Sequence, residues 1–424
     1  MKGLIAKIKA NNYIVHIITL MSGTLIAQVI TLAVIPVLTR LYTPVEFGLY
    51  SLFLSIIVIV GSISSLKYDQ AIMLPKEDKD AQALVFLSFL ITLGISFLSF
   101  LVIALFYDFF VDYFEGMKYA IWLIPFAVLL TGLIQIFTAY SSRKQYYKML
   151  ASTRVANSAT LVSVQTLSRY FFKFDGLILG KILADIVTFF LLFGQHYKKQ
   201  TLHLKSISKR RLQVNAKRHE HFPKYQSISS FLNAISQNLP ILLLASFYSA
   251  EEAGFYALAI RVLQAPVGLI GGSTRQVYYQ RASKLYSENK DIFSIFSKTT
   301  FSLLKIFIGP FIIVLFFGEP LFSFLFGAQW AESGTIAQIL ILWILFLFIN
   351  SPSIATFSII KLQKLQMKVE FISVAFRFLS IYAGYYFFNS YIASIAFFAL
   401  SSIAVNIFMI GYIYMTLKQR NLNE

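Results

Sequence analysis

A succession of long apolar runs, each cut from the next by a short charged loop, constrains this chain more than anything else in it. Twelve are predicted, at 13–39, 47–66, 82–107, 119–140, 152–172, 176–196, 225–248, 253–274, 297–318, 334–358, 368–388 and 391–416. About 20 helical residues cross the hydrocarbon core of a bilayer. Only helices and closed barrels satisfy every backbone polar group in lipid, and the period-2 alternation of a membrane barrel is missing. The expectation is an all-α integral membrane protein with twelve transmembrane helices. The run 152–172 is the most polar, carrying Asn157, Thr160, Ser163, Gln165, Thr166 and Ser168.

Composition places the chain in the same class: 57% of its residues are hydrophobic and 13% charged. It has no cysteine, which excludes disulfides, thiolate catalysis and zinc–sulfur sites. The first run follows Lys2, Lys7 and Lys9, is longer than a signal-peptide core and ends without a small-residue cleavage pattern. It is read as an uncleaved first span.

A net charge of +18 raises the question of nucleic acid, and the placement of the charge answers it. The N-terminus and every second loop carry 29 of the 37 Lys and Arg residues. The opposite loops carry Arg40, Lys118, Arg169 and Lys173. Lys and Arg bias sets membrane orientation, so both termini are expected in the cytoplasm, and no nucleic-acid partner is expected.

The chain also repeats itself. Tyr42, Glu46, Gly48 and Tyr50 return as Tyr248, Glu252, Gly254 and Tyr256 at a constant offset, with Leu52 matched by Leu258. Each copy joins the first two runs of a half, as in transporters built from duplicated halves. The expected organisation is an N-terminal half at 1–197, a basic cytoplasmic linker at 198–224 and a C-terminal half at 225–424. The linker holds nine Lys or Arg residues. It reads as a topogenic segment, with docking of a cytoplasmic partner or anionic membrane lipid as the alternative. His219-Glu220-His221 within it is too sparse for a metal site, and no metal is expected.

The longest extracytoplasmic loops, 107–118 and 319–333, leave no room for a catalytic apparatus. Phosphate-loop, dinucleotide and nucleophile-elbow motifs are absent, so an enzyme is not expected.

Ionisable residues in mid-membrane are costly and normally have a role. Lys181 and Asp185, four apart, can neutralise one another; they read first as a structural pair, with a coupling pair for a proton or cation as the alternative. Arg261, Lys305 and Arg377 have no obvious acid. Unpaired cations imply an anionic ligand, and the planar fork of arginine suits phosphate. Each has a plainer reading: Lys305 snorkels, Arg377 pairs with Glu370, Arg261 meets Gln264, and Arg40 anchors the end of the first span. Ser230, Asn233 and Gln237 share a helical face in the seventh run, ahead of Pro240, and the first run has Gln28 and Pro36. The paired prolines suggest a bend in each lead helix. Tyr382, Tyr385 and Tyr386 fit an aromatic belt better than a sugar platform.

These residues resemble the polysaccharide-unit flippases of the MOP (MATE-like) superfamily, the O-antigen and capsule repeat-unit translocases. The likeness rests on Pro36-Val37-Leu38-Thr39-Arg40 running into Tyr42-Thr43-Pro44 and Phe47-Gly48-Leu49-Tyr50. It continues through Lys67-Tyr68-Asp69-Gln70-Ala71-Ile72, Leu74-Pro75 and Glu252-Ala253-Gly254-Phe255-Tyr256. The resemblance implies two pseudo-symmetric six-helix bundles with a cavity that opens to each side in turn. It also implies a substrate of undecaprenyl pyrophosphate carrying an oligosaccharide, moved across the bacterial inner membrane for lipopolysaccharide, capsule or exopolysaccharide synthesis. The lipid II flippase branch typically has two further C-terminal spans, so this chain is expected to fall outside it.

The expected function is therefore flipping of a lipid-linked glycan. Arg261 and Arg377 would hold the pyrophosphate, with Lys305, Arg40, Gln237 and Asn233 as further substrate contacts. No cofactor is expected beyond a coupling H+ or Na+. Polysaccharide polymerase or assembly proteins are candidate partners. The rival readings are a cation-coupled multidrug exporter centred on Asp185 and a membrane enzyme of glycan assembly.

Overall fold

The computed structural model describes residues 12–113, 116–171, 176–200 and 208–423. Lys2, Lys7, Lys9, Lys173 and residues 201–207 of the predicted linker lie outside these. Among the described residues every regular element is helical. The principal helices are α1 (Asn12–Leu41), α2 (Pro44–Gly61), α3 (Asp78–Leu105), α4 (Ile124–Arg143), α5 (Tyr147–Phe171), α6 (Gly176–Lys198) and α7 (Lys209–Arg218). They continue with α8 (Ser227–Phe247), α9 (Ala250–Pro266), α10 (Gly272–Ser287), α11 (Phe293–Phe326), α12 (Ala331–Ile349), α13 (Ser351–Ile359), α14 (Gln363–Phe388) and α15 (Tyr391–Asn423).

Among the described residues ten helical segments are long and apolar enough to cross a membrane. The protein is a multi-pass membrane protein. Two predicted runs fall outside those ten, and each has a physical reason. The run 152–172 lies on α5, whose polar side chains keep its hydropathy low. The run 253–274 begins in α9, which carries Glu251, Glu252 and Arg261, and continues in helical geometry through Pro266 and a wider turn at Val267–Gly271 into the polar α10. The helices α1 and α8 are continuous through Pro36 and Pro240, and α11 leaves helical geometry at Phe317 (φ −122°, ψ 16°), three residues before Pro320.

The chain divides into two compact units, Met1–Tyr42 with Leu49–Ile235, and Thr43–Gly48 with Ser236–Glu424. In the first, α1, α5 and α6 pack side by side and α3 packs on α4. One of its cores gathers Tyr68, Ile72, Leu84, Val85, Ile136, Tyr140 and Phe222. In the second, α11 packs on α12, α14 on α15, and α12 and α15 on each other. A core there is built from Tyr278, Phe296, Phe357, Met409, Ile413 and Leu417.

The sequence repeat has a structural explanation. In the first copy the Glu46 carboxylate accepts from the Thr43 amide at 2.8 Å, and Thr43 Oγ1 accepts from the Glu46 amide at 3.3 Å. That reciprocal pair is a capping box, which satisfies two otherwise unpaired donors at the start of α2. In the second copy Ser249 Oγ accepts from the Glu251 amide at 3.0 Å and donates to the Glu252 carboxylate. The repeated tyrosines anchor the helix ends just before these caps. Tyr42 donates to the Gln165 carbonyl at 2.6 Å, and the hydroxyls of Tyr248 and Ser394 lie 2.8 Å apart.

The segment expected to be a plain basic linker contains α7, and α7 is docked. Ser208 Oγ caps it, accepting from the Arg211 amide. Arg211 lies 3.6 Å from both Glu77 and Asp80, Asn215 donates to Asp80 Oδ1 at 3.1 Å, and Tyr68 donates to the Ala216 carbonyl at 3.0 Å. The acidic start of α3 meets a basic helix. Partly exposed ion pairs of this kind contribute about 0–1 kcal/mol each, so burial of Phe222 in the adjoining core does more of the holding.

Candidate functional site

Arg377 sits within the membrane-crossing helix α14 and is half-buried. Its Nη1 donates to Ser236 Oγ of α8 at 2.7 Å. The guanidinium carbon lies 5.9 Å from the ring centroid of Phe398 on α15. That ring is met edge-on by Trp343 at 5.0 Å and by Tyr256 at 6.4 Å. A guanidinium over an aromatic face gains about 0.5–2 kcal/mol, which offsets only part of the cost of holding a cation away from water. Nε of Arg377 is buried without a hydrogen-bond partner among the described residues. Glu370, on the same helix, accepts instead from Gln366 at 2.9 Å, and no ion pair joins it to Arg377 among the described residues. The guanidinium therefore has no carboxylate in hydrogen-bond contact among the described residues and sits in an aromatic setting.

The other candidates are placed as follows. Asn233 and Gln237 are exposed on α8, and Ser236 beside them is buried against Arg377. Arg261 of α9 is half-buried, with no hydrogen bond or ion pair among the described residues. Lys305 of α11 is exposed and also without such a partner among them. Arg40 is exposed and donates to the Pro36 carbonyl at 3.1 Å, so it caps the last turn of α1. Lys181 and Asp185 form an ion pair on α6, with Asp185 buried. Among the described residues no hydrogen bond or cation–ring contact joins Arg261 or Lys305 to the Arg377 niche.

The sequence had no signal for Ser236, Phe398 or Trp343, which are ordinary residues of apolar helices. Tyr256 was visible as part of the repeat without its position beside Phe398. The polarity of α5 is spent on its neighbours. Asn157 donates to the Ala184 carbonyl and Thr188 Oγ1 of α6, Gln165 donates to the Leu177 carbonyl, and Ser158 meets Thr31 of α1. Of the three tyrosines near the end of α14, Tyr385 stacks on Phe247 at 4.7 Å, while the exposed Tyr382 and Tyr386 stack in a row with Phe378.

The fold is shared with solved multidrug transporters and with a lipid-linked-substrate flippase. A MATE family multidrug transporter in an inward-facing conformation superposes with a TM-score of 0.67 at 13% identity, covering 95% of each chain. The lipid II flippase MurJ, in an inward closed conformation, gives 0.73 at 14% identity, over 94% of this chain and 90% of that one. Residues 37–335 match the model of the polysaccharide biosynthesis protein family, and the chain belongs to that family. It is 31% identical over 163 residues to the capsular polysaccharide biosynthesis protein CapF of Staphylococcus aureus. That match spans 37% of this chain and 40% of CapF.

Proposed function

We propose that the protein flips undecaprenyl-pyrophosphate-linked oligosaccharide units across the bacterial inner membrane, by alternating access, to supply a surface polysaccharide such as O-antigen, capsule or exopolysaccharide. The observation that carries this reading is Arg377, a guanidinium inside a membrane-crossing helix with no carboxylate paired to it among the described residues. A charge at that depth costs about 2.5–3.5 kcal/mol on insertion scales. A pyrophosphate would supply the counter-charge, and its oxygens match the remaining donors of the guanidinium fork. Membership of a polysaccharide biosynthesis family supports a glycan cargo, and the likeness to a lipid II flippase supports a fold able to carry one on a lipid.

In this reading twelve helices cross the membrane and both termini are cytoplasmic. Arg377 and Arg261 hold the pyrophosphate, Asn233 and Gln237 meet the head of the substrate, and Lys305 and Arg40 guide its approach. The prenyl tail stays in lipid. The driving force is a gradient of the lipid carrier or of an ion, H+ or Na+. Polymerase or assembly proteins would receive the product.

A multidrug-exporter reading draws on the MATE likeness. It needs an acid free to exchange a cation, and the Asp185 carboxylate is engaged by Lys181, which weighs toward the glycan. The test is reconstitution into vesicles with a fluorescent lipid-linked oligosaccharide, followed by a glycosidase that reaches one leaflet. The flippase reading expects the protein to expose the whole pool to the enzyme. Protection equal to protein-free vesicles, with drug efflux intact, would transfer the protein to the exporters.

A further inference from the structure

The run 152–172 places Arg154 at its edge, among the cytoplasmic cations of the loop count. The structure starts α5 at Tyr147, so Arg154 lies seven residues inside the helix, about 10 Å at 1.5 Å per residue. Its Nη1 donates to Thr24 Oγ1 of α1, and that hydroxyl is oriented by donating in turn to the Leu20 carbonyl at 2.9 Å. Gly23 permits the close approach of the two helices: a Cβ there would stand 2.6 Å from the Cβ and 2.7 Å from the Cα of Ala151. Thr24 is therefore held at a fixed place beside the guanidinium.

Arg154 differs from the other polar groups of α5. Asn157, Ser158 and Gln165 close on protein partners. Arg154 is exposed, and among the described residues no carboxylate pairs with it. Asp185, the acid within the neighbouring α6, is taken by Lys181. A guanidinium has five N–H donors in a rigid fork, and one of them is engaged by Thr24. What remains suits two oxygens of a phosphate.

We propose that Arg154, positioned by Thr24, is a phosphate-binding residue that takes the pyrophosphate of the lipid-linked substrate near the cytoplasmic end of α5. This rests on the flippase reading. Near that end of the helix, Arg154 is a loading contact, distinct from Arg377 at the middle of α14.

The test is equilibrium binding of geranylgeranyl pyrophosphate to the purified full-length protein in detergent, with inorganic pyrophosphate as competitor. Arg154→Gln is expected to weaken binding at least tenfold. Arg154→Lys keeps the charge without the fork and should recover part of it. Thr24→Val, which leaves the charge and frees its orientation, should fall between wild type and Arg154→Gln. Arg154→Lys and Thr24→Val also serve if Arg154→Gln fails to fold. Wild-type affinity in a folded Arg154→Gln or Arg154→Lys protein, with binding lost in Arg377→Gln, would mean that Arg154 merely snorkels, and would leave the flippase reading standing. Equal competition by inorganic pyrophosphate would make this a free-anion site and overturn the lipid assignment. A wild-type protein that binds no probe and flips no lipid-linked glycan would remove both.

Discussion

Gly48 and Gly254, the same position in the two copies of the repeat, pack back to back. A Cβ on Gly48 would stand 1.6 Å from the Ala250 carbonyl oxygen and 3.1 Å from the Gly254 nitrogen. A Cβ on Gly254 would stand 2.0 Å from the Pro44 carbonyl oxygen and 3.0 Å from the Gly48 nitrogen. The contact is reciprocal, since Pro44 and Ala250 are also equivalent positions of the repeat. The obstacles are backbone atoms, which cannot rotate away as a side chain can. Gly48→Ala or Gly254→Ala is expected to lower stability by about 1–3 kcal/mol. Gly94→Ala, in α3 with nothing within 4 Å of its Cβ, should instead raise it by about 0.5–1 kcal/mol. Thermal unfolding of the three variants in one detergent checks both signs.

Lys181 and Asp185 share one helix face, and the pair is expected to behave as a structural unit. Removing one partner strands the other in a low-dielectric setting, at a cost approaching about 3 kcal/mol. Asp185→Asn and Lys181→Met should each destabilise the protein, and the double variant should recover most of the loss. A double-mutant cycle with strictly additive losses would contradict the pairing.

Docking of α7 should depend on pH through His219. Its side chain is buried, and desolvation, then the nearby His221 and Arg218, push its pKa below the ordinary histidine value against the opposing pull of Asp80. A folded-state pKa below the unfolded one means that the unfolded segment binds protons more readily. The stabilisation is present in full above about pH 6.5 and is lost as pH falls through the depressed folded value. Amide exchange over 209–218 should quicken from pH 7.5 to pH 5, and His219→Gln should flatten that dependence. A wild-type segment equally protected at both values would contradict it.

Much of the architecture was legible because a bilayer demands long apolar segments and tolerates little else. The exceptions are instructive. Interhelical bonds made by Asn157, Gln165 and Ser158 let α5 be polar where hydropathy expects lipid-facing residues. The run 253–274 continues through Pro266 and a wider helical turn, and Glu251, Glu252 and Arg261 make its helix less apolar than its neighbours. The linker hid a docked helix because Arg211 and Asn215 find Glu77 and Asp80 more than 130 residues earlier in the chain, a pairing no local pattern encodes. At the candidate site the cations were visible because charge within an apolar run stands out. The groups that give Arg377 its setting, Ser236, Phe398 and Trp343, were not, since a serine or an aromatic in such a helix is ordinary until its neighbours are known.

The most direct test is leaflet-resolved translocation of a lipid-pyrophosphate oligosaccharide in proteoliposomes, comparing wild type with Arg377→Ala and Arg261→Ala at matched folded protein. Wild type is expected to translocate, with the rate reduced at least tenfold by Arg377→Ala and substantially by Arg261→Ala. Undiminished transport in both variants would contradict the assignment of these cations to the pyrophosphate. Absence of transport by wild type, with the native glycan as cargo, would contradict the flippase itself.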